Sequence, residues 1–497
     1  PPGVRALTAT ETASGIELAW ATPRLPELST VKIVKGVEKA PEQIGRGVTI
    51  YEGNDTTYLD PSDVIEGRTY FYSVFCLYQD GSVSKPMSVR LTAGSVIHVD
   101  AEYAGSESHG SVLAPYKSVG EALENAASGT TVQIAGGLYT ESELAVPEGV
   151  VLAGTGRDFA VIEASAGQYA LLVAGTVEGV TVVGPPSGHG IVCRGGSAEI
   201  RDCHIRDSGG NGVDLSNEAS ASISECWIHH NLGSGIHAAD TSAYRIADCT
   251  IFANQSGIVD TSSSAEVQLI VNCRVFGNLT DGISVQDGAF DVYRCSVYGN
   301  GADGLDVRRH VSMCRLESCE IWGNHSAGVY LLASAYSGSA PSGADWWRSD
   351  LSASVVNCTI YGNGDSGIHV GAEPSWIGSS IHCAVRNTIL WGHSQTQVSF
   401  RDNSDWNKWN KGSYSIQVES SCIEGGLAEI QNACLSDPYV NPRGSGNLDT
   451  HPRFRDEASR DFHLGSDSPC IDAGADAFVA FSHDLDEIPR LQDGDRD

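Results

Sequence analysis

The chain is nearly without methionine, two residues in 497, and it is short of positive charge. Thirty-one Lys and Arg face 62 Asp and Glu, a formal net charge of −31 at pH 7. A surface of that sign repels phosphate backbones and anionic headgroups, which excludes nucleic acid and anionic membrane as general partners. No apolar run approaches the length of a membrane span. The 14 cysteines contain no Cys-x-x-Cys pair, haem-attachment motif or zinc-ligand spacing, so no metal site is expected. Calcium is the one ion suited to the acidic tail of Asp484, Asp486, Glu487, Asp493 and Asp495. That spacing matches no calcium loop, however, and a solvated tail is the expectation. The sequence opens on Pro1-Pro2-Gly3-Val4-Arg5 without a secretory leader and so reads as a mature or trimmed chain, its export inferred from class.

What is present falls into two textures. Residues 1–94 hold short alternating strands, such as Gly15–Trp20, Val31–Val34 and Thr69–Phe75, separated by turns at the spacing of a β-sandwich. The proline start, the Trp20 strand and the Tyr-rich strand before Asp80-Gly81-Ser82 resemble a fibronectin type III module. By that resemblance Trp20 and Tyr72 are core residues and the domain is a spacer or binding accessory.

The second texture is a repeat. Cys203, Cys226, Cys249, Cys273, Cys295, Cys319 and Cys358 recur at steps of 22 to 24, with one longer step before the last. Five residues after most of them stands an asparagine: Asn231, Asn254, Asn278, Asn300, Asn324 and Asn363. Each asparagine is followed by Gly and a branched apolar residue, as in Gly235-Ile236 and Gly282-Ile283. One such unit cannot bury its own face, but stacked units can, with strands about 4.8 Å apart. Stacking turns each position into a column, with thiols inside, amides along a turn, and Ile and Val filling the bore. The ladder cysteines are expected to be reduced packing thiols. Cys422 and Cys434 lie off the ladder beside a loop and are the expected disulfide.

From residue 95 onward the chain resembles the pectin-lyase-like superfamily of right-handed parallel β-helix repeat proteins. The entry segment, Pro115-Tyr116-Lys117-Ser118-Val119 through Ala122-Leu123 to Gly137-Leu138-Tyr139, is similar to that superfamily's start, where a short amphipathic helix caps the coil. The exit, Asp461-Phe462-His463-Leu464 and Ser468-Pro469-Cys470-Ile471-Asp472, resembles the C-terminal segment of secreted bacterial β-helix proteins that carry a sorting anchor. The implied architecture is all-β: a sandwich over 1–94, a β-helix over 95–480 and an acidic tail over 481–497. The resemblance implies a secreted or cell-surface protein whose partner is a polysaccharide. None of the superfamily's catalytic signatures is intact, so it assigns no catalytic residue.

Candidate site residues follow from register instead. The residue after each Gly-apolar pair points outward, giving the column Asp214, His237, Val259, Ser284, Asp306, Tyr330, His369 and Ser399. Two residues on, Arg308 and Arg401 share a second column. Asp306, Tyr330, His369, Arg308 and Arg401 are therefore the expected acid–base and carboxylate-neutralising groups, with His237 on the same face. The coils from Cys319 onward carry three long insertions, over 333–351, 371–380 and 402–413, holding five of the nine tryptophans. Trp346, Trp347, Trp376, Trp406 and Trp409, with Arg348 and Lys408, are expected to bind sugar rings and an acidic polymer. An outward column of Arg206, His229, Phe252, Phe276, Tyr298, Trp322 and Tyr361 reads instead as strand-stabilising stacking. The expected function is a polysaccharide lyase acting on a uronate, with a non-catalytic, adhesin-like glycan binder as the alternative. A hydrolase would need two carboxylates, and Asp306 has no second acid nearby on its column, although Glu373, Asp345 or Asp350 could swing in from the loops.

Overall fold

The structure is a computed structural model. It describes residues 2–12, 15–23, 28–36, 39–61, 69–92, 96–106, 108–333, 350–372, 380–400, 413–433, 440–479 and 484–486. The chain divides into two compact units, residues 1–134 with 149–153, and residues 135–148 with 154–497.

In the first unit, alternating apolar residues give strands with one buried face. A three-stranded antiparallel sheet (Arg5–Thr12, Gly15–Ala21, Thr57–Asp60) and a four-stranded one (Leu28–Gly36, Val48–Gly53, Thr69–Tyr78, Met87–Thr92) share one apolar core among the described residues. Trp20 and Tyr72 are buried there, as expected. The Tyr72 hydroxyl donates to Asp60 Oδ2 at 2.7 Å, and Lys35 Nζ pairs with the same carboxylate at 2.6 Å, so this buried charge is compensated. The same unit holds the expected amphipathic helix, Val119–Glu124. Ser118 Oγ accepts from Glu121 N at 3.3 Å to cap it, and Val119, Ala122 and Leu123 are its buried face.

In the second unit most coils are three short strands joined by sharp corners, while Ile283–Tyr293 and Leu305–Glu317 each run through one corner as a single strand. In one coil the three are Ser220–Ser224, Trp227–His229 and Ile236–Ala238. Each pairs in parallel with its equivalent one coil on, as in Ser220↔Ala243, Trp227↔Thr250 and Ile236↔Ile258. The middle strands form one 12-stranded sheet from Gly137–Tyr139 to Cys422–Ile423. Ile223, Ile228 and Ile236 point into the bore and are fully buried, as are their equivalents in successive coils. The corners use the left-handed backbone region: Glu225 has φ 57° and His230 φ 56°. That conformation is costly for a residue with a Cβ, and in later coils Gly299 and Gly323 take the second of these positions.

Three ladders run along the stack. The cysteines from Cys203 to Cys358 are buried and reduced, and each Sγ donates to the carbonyl two residues earlier, as Cys226 does to Ser224 O at 3.1 Å. Beyond Cys358, Thr388 and Ser421 make the same bond with hydroxyls, at 2.8 and 2.9 Å. On the outside, His229, Phe252, Phe276, Tyr298 and Trp322 stack nearly face to face, with centroids 4.3 to 5.2 Å apart. The stack ends beneath the hairpin of Phe454–Asp456 and Asp461–Leu464, where Phe462 and Arg460 lie over Trp322.

The third ladder is of buried amides. Asn254 Oδ1 accepts from both the backbone N and the Nδ2 of Asn231, at 3.2 and 2.9 Å. The pattern repeats through Asn278, Asn300, Asn324 and Asn363. It stops at His393, whose Nδ1 accepts from Asn363 N at 3.1 Å while its Nε2 donates to Ile360 O at 3.1 Å. Burial pushes the His393 pKa down to about 4, so the folded state holds it neutral. Between its ordinary 6.5 and about 4 the unfolded chain binds the extra proton, and stability falls as pH drops through that window. The full loss is about 3 kcal/mol. His393→Asn is expected to remove this slope, read as the denaturation midpoint of variant and wild type near pH 7.5 and near pH 4.5.

Candidate functional site

The outward column forms in the expected register. Asp214 pairs with His237, His237 with Val259, Val259 with Ser284, Ser284 with Asp306, Asp306 with Tyr330, Tyr330 with His369 and His369 with Ser399. The Arg308 column also forms, through Leu332 and Gly371. Around Asp306 the side chains make one connected group. Arg308 Nε donates to Asp306 Oδ1, and the Arg308 guanidinium sits 4.9 Å from the centre of the Tyr330 ring. Tyr330 and His369 stack with centroids 4.5 Å apart, and His369 Nδ1 is hydrogen-bonded to Ser399 Oγ at 2.8 Å. Three coils toward the N-terminus, His237 Nδ1 meets Asp214 Oδ1 at 2.9 Å, and Asn211 Nδ2 donates to the same oxygen at 2.8 Å.

Two further acids join from the corner before this strand. Asp281 Oδ1 accepts from Asp303 N at 3.0 Å, and Asp303 Oδ1 accepts from Ala327 N at 2.8 Å. Asp281, Ser284, Gln286, Asp306, Arg308 and Arg309 line an open groove of about 380 Å³. Arg309 turns out of the strand through φ 63°, at the point where the register with the preceding coil shifts. Burial pushes the Asp306 pKa up to about 6; Arg308 opposes the rise and the nearby Asp281 adds to it. Burial pushes Asp303 higher, to about 7, with Asp306 and Asp281 adding their repulsion. Among the described residues no three His, Cys, Asp or Glu side chains stand close enough to hold a metal ion. A larger cleft of about 1590 Å³ lies under the C-terminal segment, away from these acids.

Residues 169–313 and 263–405 match the family model described as the right-handed β-helix region. With the parallel pairing of its coils, the match makes the fold a right-handed parallel β-helix. No curated protein matches the chain. Among solved structures, the β-helix protein is similar to the A-module of the mannuronan C-5 epimerase AlgE6 of Azotobacter vinelandii. The identity is 15% and the TM-score 0.46, over 66% of this chain and 92% of that one. It is similar to pectate lyase Pel9A at 13% identity and a TM-score of 0.45, over 81% and 98% of the two chains. It is also similar to the tailspike gp49 of the Acinetobacter baumannii bacteriophage Fri1, a capsular polysaccharide depolymerase. There the identity is 10% and the TM-score 0.40, over 76% and 69%. At these values the likenesses carry no statement about activity.

Of the residues proposed from sequence, the β-helix brings Asp306, Arg308, Tyr330 and His369 together and sets His237 apart with Asp214. Arg401, Trp346, Trp347, Arg348, Trp376, Trp406, Lys408 and Trp409 lie outside the described residues. Asp306 has acidic neighbours off its own column, because the corner column turns acidic. The residue before each Gly-apolar pair runs Asn211, Ser234, Ser256, Asp281, Asp303, Ala327 and Ser366. The spacing of that column is visible in the sequence, but the significance of its two acids emerges only with their burial beside Asp306.

The raised acids predict a measurable stability signature. A carboxyl whose folded pKa is raised is fully accommodated below its ordinary 3.8 and costs stability as pH rises through the folded value. Asp303→Asn keeps the acceptor for Ala327 N and removes the charge. It is expected to stabilise the protein by on the order of 2–4 kcal/mol near pH 8.5 and by nothing near pH 4, read by denaturant titration at both.

Proposed function

We propose that this β-helix protein cleaves an acidic polysaccharide in the groove at Asp281, Asp306 and Arg308, by β-elimination at a uronate. The supporting observation is Asp306, a carboxyl buried enough to keep its proton up to about pH 6 while bonded to a guanidinium on the groove wall. A proton donor and a fixed cation side by side match what elimination needs. Arg308 neutralises the sugar carboxylate, which acidifies the adjacent C–H. His369, two coils along the column, takes that proton, Tyr330 between them contacts the ring, and Asp306 protonates the leaving oxygen. Successive outward positions about 4.8 Å apart suit a polymer lying along the stack, with His237 and Asp214 under a more distant sugar. The tryptophans of the long insertions supply stacking faces in this reading. A substrate of that size lies outside cells, so the protein acts as a secreted or surface protein.

A second reading is favoured by one observation, the proximity of Asp303 and Asp281 to Asp306. Carboxyls with separated proton affinities are what hydrolysis of a glycosidic bond employs. Product chemistry distinguishes the two. Elimination leaves an unsaturated uronate that absorbs in the ultraviolet, whereas hydrolysis yields new reducing ends without that absorbance. Over a panel of uronate polymers, the wild type is expected to produce the absorbing product. Asp306→Asn and His369→Ala should each lower kcat/KM by about 10²–10⁴-fold, and the wild-type rate should fall as pH rises past about 6. Reducing ends without absorbance would replace elimination by hydrolysis. No product from any polymer, with tryptophan fluorescence still quenched by one, would leave a glycan-binding protein.

A further inference from the structure

In the 12-stranded sheet the outward position at the head of each strand runs Trp227, Thr250, Arg274, Ser296, Glu320, Thr359, Ile389 and Cys422. Cys422 is thus a thiol on the outside of the coil, one residue past the ladder position that Ser421 fills. It is nevertheless only 4% exposed, because the C-terminal segment covers it. That segment is pinned to the corners of the two preceding coils. Asn387 Oδ1 accepts from Ala475 N at 2.8 Å and Asn387 Nδ2 donates to Ala475 O at 3.0 Å. Asn357 Nδ2 donates to Phe478 O at 3.3 Å, and the Arg386 guanidinium lies 5.0 Å from the centre of the Phe478 ring. Pinning residues 475–478 there carries the half-buried Cys470 over the last coil, where it lines the same cleft as Cys422 and comes within side-chain hydrogen-bonding reach of it.

We propose that Cys422 and Cys470 form a disulfide that fastens the C-terminal segment to the last coil. The ladder thiols do not compete. They sit side by side on parallel strands with parallel Cβ directions, a poor disulfide geometry, whereas Cys422, whose Sγ donates to Thr450 O at 3.1 Å, meets Cys470 from a segment that is not a rung of the stack. The oxidant is a small disulfide such as oxidised glutathione. The Cys470 thiolate attacks it, releasing one glutathione and forming a mixed disulfide. The Cys422 thiolate then displaces the second glutathione, so two thiols lose two protons and two electrons to the oxidant. The bond would close a loop from 422 to 470, long enough to constrain the unfolded chain substantially.

The test is peptide mapping of the full chain after exposure to oxidised glutathione, denaturation and alkylation without reductant. The expected result is a cross-linked pair of peptides carrying Cys422 and Cys470, with the ladder cysteines alkylated. Alkylation of both residues, or linkage of Cys422 to Cys434, would overturn the proposal. In parallel, Cys470→Ser is expected to lower the melting temperature of the oxidised chain by about 5 °C or more, and reductant should abolish the difference. A difference unchanged by reductant would assign Cys470 to packing and sink the disulfide.

Discussion

Each buried asparagine from Asn254 to Asn324 makes at least four hydrogen bonds with one side chain. Its Oδ1 accepts from the backbone and the amide of the coil before, while its Nδ2 donates both to the next asparagine and to a main-chain carbonyl, as Asn300 does to Val275 at 3.2 Å. A corner this sharp strands backbone N–H groups away from water, and a buried donor without a partner costs about 1–3 kcal/mol. The amides satisfy those donors coil after coil, and in doing so they hold consecutive corners directly above one another. Strand register, the aromatic stack and the outward column all take their alignment from that.

The proposed site sits on that alignment at a cost. Asp281 and Asp303 occupy positions that elsewhere hold Asn, Ser or Ala, and they keep the bond that Asn211 makes to the next coil's backbone. A neutral residue would do this as well or better, given how far burial lifts the Asp303 pKa. Two acids where amides suffice, next to a third acid bonded to an arginine, is an arrangement that destabilises the charged state without improving the fold. Sites that spend stability in this way are where chemistry is usually found.

Most of the coil was readable from spacing alone, because a parallel stack converts a period in sequence directly into a column in space. The Cys step fixed one corner, the Asn five residues on and the Gly-apolar pair bounded the next, and alternation then assigned Asp306, Tyr330 and His369 to one face. What spacing left out was of two kinds. Asp281 and Asp303 were hidden by their own regularity, since a corner residue reads as punctuation and its chemistry appears only when burial is known. The approach of Cys470 to Cys422 was hidden because the C-terminal segment obeys no period. Its path depends on contacts with Asn357 and Asn387, more than 80 residues earlier in the chain.

The changes of residue at the C-terminal end of the ladders bear on a different problem. A stack of identical rungs has no means of counting, and a strand could add one whole repeat out of step while satisfying every backbone bond. Here the rungs are not identical. Thr388 and Ser421 replace thiols, and His393 replaces an amide with a ring that fits beneath Asn363 but offers no Oδ1 for another rung. A coil that skipped a place would set a hydroxyl in a cavity shaped for sulfur, or an imidazole where two amides expect a neighbour. The final coils thereby label their own order, and the repeat carries its own terminator.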